Sequence, residues 1–174
     1  KVPPKPLDPN SLGNFEGRVL VLNAILDEMP SNSESEMYGI LFRQVFDLQK
    51  EIRITTKSKA KTTALNDCIA SVEELAARCK RIAYNTLHKL FEKAATSGWK
   101  AEANLTEENL QALDHAFNQI SIASTNFGTP WFHTFTDLRK TEIQNLETHR
   151  AELIQRHQAA LLQQANQVID SSLE

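Results

Sequence analysis

Two stretches of this chain gather side chains able to hold a ligand. The first runs Arg53-Ile-Thr-Thr-Lys-Ser-Lys-Ala-Lys61 and supplies Arg53, Lys57, Lys59 and Lys61, with no acidic side chain between Glu51 and Asp67. Cations without counter-charges attract phosphate groups. The second, Thr125 to Phe135, places Phe127, Trp131, Phe132 and Phe135 around Gly128 and Pro130, and Arg139 and Lys140 follow one turn into the next helix. Loops are ordinarily polar, so four rings there are unusual. Rings facing outward beside cations suit an anionic membrane surface, whereas rings folded back would plug the end of a core. For the lysines the competing reading is a solvated turn that keeps the chain soluble.

Catalytic patterns are missing from the sequence. His88, His115, His133, His149 and His157 form no His-Glu-x-x-His and no Glu-x-x-His pair, and none lies four residues from another. No metal site is therefore expected. The five glycines make neither GxGxxG nor GxxxxGK, so no phosphate loop and no cofactor are expected. Cys68 and Cys79 share one helical stripe, too far apart along it to bridge, and read as small core residues of a reducing compartment. A thiol nucleophile at Cys68 would need a base that the sequence does not place beside it. The expectation is a protein that is not an enzyme.

Composition narrows the class further. A chain of 174 residues holds one domain with a real core, and a net charge of -3 argues against a dedicated nucleic-acid binder. No run of eighteen apolar residues exists to span a bilayer. Residues 1–10 begin Lys-Val-Pro-Pro-Lys-Pro without Met and read as a Pro-rich linker in a fragment of a longer protein, followed by a single domain over 11–174.

The elements that must position these residues are helices. Leu65, Ile69, Val72, Leu75, Ala76, Cys79, Ile82, Ala83, Leu87, Leu90 and Ala94 recur at steps of three and four, which predicts one long central helix over 61–97 ending at Ser97-Gly98. Before it, Phe15, Val19, Leu22, Ile25, Leu26 and Met29 predict a helix over 12–29. Met37, Ile40, Leu41, Val45, Leu48 and Ile52 predict a second to about Ile54, with Ser33 and Glu36 as its capping box. After the central helix, Trp99 is expected to cap a core. Thr106 should cap a fourth helix on Leu110, Leu113, Phe117, Ile120 and Ile122, ending near Ser124. Thr136 and Asp137 should cap a last helix whose inner face holds Ile143, Leu146, Leu153, Ile154, Leu161, Ala165 and Val168. Arg150 and His157 interrupt that face, so a thin contact and a projecting Gln/Asn-rich end are expected. The fold class is all-α: an up-and-down helical bundle of four to five helices with long central and C-terminal members.

In such a bundle short connections make consecutive helices antiparallel, which would put the basic turn and the aromatic loop at one end. Two rings at roughly 1.5 to 3 kcal/mol each and cations at about 1 kcal/mol each would give reversible binding of micromolar class at best. The Pro-rich leader, the helical bundle and the Trp131-Phe132 tip with nearby Lys and Arg resemble the phosphoinositide-binding modules found toward the C-terminal side of effectors secreted by intracellular bacteria. The likeness is architectural and spans the whole chain. It implies an intracellular, peripheral membrane protein whose cations hold a phosphoinositide headgroup while loop aromatics enter the bilayer, targeted to an organelle membrane of a host cell. The alternative is a protein-protein interaction bundle using the same rings or a helix groove.

Overall fold

A computed structural model describes residues 2–30, 35–128, 131 and 139–173. They are all-α, with five helices and no strand among them: α1 Pro9–Glu28, α2 Ser35–Thr56, α3 Thr63–Ala103, α4 Glu107–Phe127 and α5 Lys140–Leu173. The central and C-terminal helices are the long ones, at 41 and 34 residues. Helix starts have local causes. Asp8 accepts a hydrogen bond from Asn10 N ahead of Pro9, Thr62 Oγ1 accepts from Leu65 N, and Thr106 Oγ1 accepts from Asn109 N. Ser33, Thr136 and Asp137, expected as caps, lie outside the described residues.

The chain divides into two compact units, Lys1–Asn85 with Ala123–Phe132, and Thr86–Ile122 with His133–Glu174. In the first, Lys5 O accepts from Ala60 N just past α2, and Arg18 of α1 reaches Glu51, so α1 and α2 run antiparallel. Arg78 of α3 donates to Asn23 and Asp27 of α1. Phe15, Val19, Leu22 and Leu26 of α1 are buried, as are Tyr38, Leu41, Phe42, Val45, Leu48 and Ile52 of α2. Ile25, Met37 and Ile40, expected in the core, are exposed. Each lies one residue, about 100° of helix, from a buried neighbour: Leu26 and Leu41, which were expected in the core, and Tyr38, which was not.

The second unit is built on Ala101, Leu110, Leu113 and Leu153, with Leu105, Phe117 and Ile154 packed against them. Gly98 does not end α3, which continues through Ser97 and Trp99 to Ala103. Its missing side chain serves packing: a Cβ there would sit 3.3 Å from His149 Nδ1 of α5. Trp99 caps nothing and is 70% exposed. Glu102, in the last turn of α3, accepts from His149 Nε2 at 2.7 Å and from both Arg156 nitrogens at 3.0 and 2.6 Å. Beyond this clasp every described residue of α5 from Gln158 to Leu173 is exposed, so Leu161, Ala165 and Val168 do not face a core.

Those hydrogen bonds hold the Glu102 carboxyl at about 2, against an ordinary 4.5. A depressed folded value means that the stabilisation is full above 4.5 and is lost as pH falls toward 2. Thermal unfolding should therefore show a drop in Tm across that window that is smaller in Glu102→Gln; an equal drop in both proteins would remove Glu102 as its source.

Candidate binding surfaces

Within the first unit, the cations of the basic turn and the described ring Trp131 do not meet. Arg53 is tied to Glu73 at 3.0 Å, beside Gln49, which donates to the other Glu73 oxygen at 2.7 Å. Lys61 Nζ donates to Thr56 O at 3.1 Å; Lys57 is exposed and Lys59 half-buried. Phe127, assigned to membrane insertion, is instead 1% exposed and belongs to α4, its ring 5.4 Å from that of Phe42. The reason is register: Ile120, Ala123 and Phe127 continue the helical steps, and the ring falls on the core side. Phe132 and Phe135 lie outside the described residues.

Trp131 is half-buried. Its ring meets Phe46 edge-on at 5.7 Å, and Lys80 Nζ lies 5.5 Å over it. Phe46 stands ten residues before the end of α2 and Lys80 seventeen past the start of α3. At 1.5 Å per residue, Trp131 is about 15 to 25 Å along these helices from the basic turn. The end of α4 meets the start of α2 instead, where Asn126 donates to Ser35 and Gly39 lies against the Asn126 carbonyl. The antiparallel argument placed the two connectors at one end without weighing helix length, and α3 has 41 residues against 21 in α4.

Arg139 and Lys140 fall in the second unit. Lys140 is exposed, but the Arg139 guanidinium stacks over Phe91 at 5.4 Å and donates to Glu142 and to His88 Nδ1. An arginine cannot accept, so His88 carries its ring proton on Nε2, 3.0 Å from Glu92. Arg139 is thus engaged by its own protein on two sides, a poor starting point for a headgroup ligand.

No family model, curated protein or solved structure matches the chain.

The cysteines sit deep in the first unit, buried at Cys68 and Cys79. Burial pushes the Cys79 thiol up to about 12 against a small opposing pull from Arg78, and raises Cys68 with help from the Glu16 charge. Iodoacetamide at pH 8 should leave both unmodified in the folded chain and alkylate both in denaturant; rapid native labelling at Cys68 would reopen a thiol role. Among the described residues no three of His, Cys, Asp and Glu gather as metal ligands, and no helix is long and apolar enough to cross a membrane.

Two apolar surfaces are uncovered: the end of the last helix, which the sequence predicts to project while assigning its apolar side chains to the inner face, and a groove on α1 that the sequence reading missed. On α5, Leu161, Leu162, Val168, Ile169 and Leu173 are 51, 64, 69, 54 and 80% exposed. No charged residue stands between Arg156 and Asp170. On α1, Gly13, Gly17 and Val21 line a groove of about 610 Å³ against Gln44 and Asp47 of α2. The signal was present: α1 has a second stripe, Gly13, Gly17, Val21 and Ile25, at steps of four.

Proposed function

We propose that this chain is a non-catalytic helical module that works by binding another protein, with the exposed half of α5 as its principal contact. The carrying observation is the row of large apolar side chains from Leu161 to Leu173 left uncovered on a helix. Exposed apolar area of this kind marks interaction surfaces, and an amphipathic helix is read by a complementary groove or a second helix. A helix lying in a membrane interface carries Lys or Arg along its polar face; after Arg156 α5 has neither, its polar residues being His157, Gln, Asn, Ser and Asp170. The flanks therefore favour protein over lipid.

A photo-crosslinking amino acid at Leu162, in the cell of origin, should form adducts with protein. Adducts confined to lipid, or none at all, would refute the reading.

One observation supports the second reading, an anionic phospholipid such as a phosphoinositide: Trp131 keeps part of its ring open with Lys80 above it. One ring at roughly 1.5 to 3 kcal/mol and a few cations at about 1 kcal/mol each give weak, salt-sensitive peripheral attachment. Co-sedimentation with phosphoinositide vesicles should then fall with salt and with Trp131→Ala; equal sedimentation with neutral vesicles would dismiss it.

A further inference from the structure

From the two uncovered surfaces we infer that two copies of this chain associate reciprocally, the exposed half of α5 from each lying in the α1/α2 groove of the other. This rests on the protein-binding reading above and names the partner.

The groove has a floor without side chains. Gly13 and Gly17 lie inside α1, and a Cβ added at either would meet nothing within 4 Å. Glycine inside a helix is a stability cost, and no packing among the described residues accounts for it here. Small residues at this spacing let another helix come close to the backbone. Val21, Ile25, Met37 and Ile40 extend the apolar surface, all of them exposed. Met37 and Ile40 continue the α2 wall at steps of three and four toward Gln44, which lines the groove.

α5 fits this surface in length, shape and charge. From Gly13 to Ile25 and from Leu161 to Leu173 are equal intervals, each about 18 Å of helix. The large side chains are on α5 and the missing ones on α1, so ridge can enter groove. At the rim Arg18 is already paired with Glu51, leaving Asn14, Gln44 and Asp47, of which Asp47 can accept from the side-chain amides of Gln163, Gln164 and Gln167. Charge complementarity selects partners, and from Gln158 to Ile169 α5 has no Asp, Glu, Lys or Arg with which to select a charged one. Each copy owns one ridge and one groove, so exchange gives two equal contacts about a two-fold axis. Stable complexes bury roughly 1,200–2,000 Å², which favours two contacts over one.

Sedimentation velocity over a concentration series tests this directly. The expected result is a monomer–dimer equilibrium with a dissociation constant on the order of 10 µM. Leu162→Glu with Val168→Glu should leave a monomer at all concentrations, and so should Gly17→Leu with Ile40→Glu. All four positions are exposed, and a cooperative melt with native helix content certifies each fold. Mixing the two variants restores one intact contact and should recover a weaker heterodimer. The inference is overturned by a monomeric wild type, by groove variants that still dimerise, which would mean that α5 pairs with itself, or by open-ended oligomers. Protein adducts at Leu162 with a monomeric wild type would keep the protein-binding reading and discard the second copy.

Discussion

Phe127→Ala should lower the free energy of unfolding by about 3–5 kcal/mol, the usual cost of emptying a large aromatic site in a core. The ring is 1% exposed and packs 5.4 Å from Phe42, which is itself fully buried and stacked 5.7 Å from Tyr38. Truncation leaves a void between the end of α4 and the start of α2, held on one side by helix backbones that cannot collapse into it. Urea unfolding of the variant beside Trp131→Ala supplies the contrast. Trp131 is only half-buried and should cost about 1–2 kcal/mol, near the average for single substitutions. Equal losses at the two positions, or a loss below about 1 kcal/mol at Phe127, would contradict the packing described. The contrast also guards binding assays: a Phe127 variant that no longer binds anything has lost its fold before its surface.

Gly39→Ala should destabilise, although the same replacement inside an ordinary helix gains about 0.5–1 kcal/mol. At Gly39 the new Cβ would run into the backbone carbonyl oxygen of Asn126, with the carbonyl carbon at 2.8 Å. Backbone cannot rotate aside as a side chain can, so α4 must shift from α2 and strain its Asn126–Ser35 hydrogen bond. A net loss of about 1–3 kcal/mol is expected, in the range of overpacked cores. Gly17→Ala is the internal control: it meets nothing within 4 Å and should gain about 0.5–1 kcal/mol. Opposite signs in paired thermal melts support the contact, and a rise in Tm for both variants would rule it out.

The helices were legible because their stripes are. The α3 stripe from Leu65 to Ala94 follows steps of three and four, and most of it is buried. Gly98 was not legible, since a glycine can end a helix or admit a neighbour, and only the approach of His149 distinguishes the two. Taking it as a stop shortened α3 by only six residues; the shared tip for cations and rings followed from making consecutive helices antiparallel without weighing a central helix over 61–97 against a fourth that ends near Ser124. Phe127 was readable in principle: its spacing from Ile120 and Ala123 is helical, but its aromatic neighbours and Gly128 argued louder for a loop. Phe46 could have been found as the i+4 companion of Phe42, which marks α2 as apolar over a broad face. Periodicity on α5 identified an apolar face correctly and could not reveal whether anything covers it.

That uncovered half of α5 has a thermodynamic consequence. Sixteen residues with no tertiary support would be close to coil as a free peptide, because starting a helix is the unfavourable step. Here the start is supplied by the turns anchored at Leu153 and the Glu102 clasp, so only propagation remains to be met. Ala159 through Gln164 propagate well, whereas Val168, Ile169 and the paired serines do so less readily, and melting should enter from the C-terminal end. Whatever docks on the last two turns must therefore freeze them as it binds, giving up affinity to conformational entropy and gaining a contact that releases quickly.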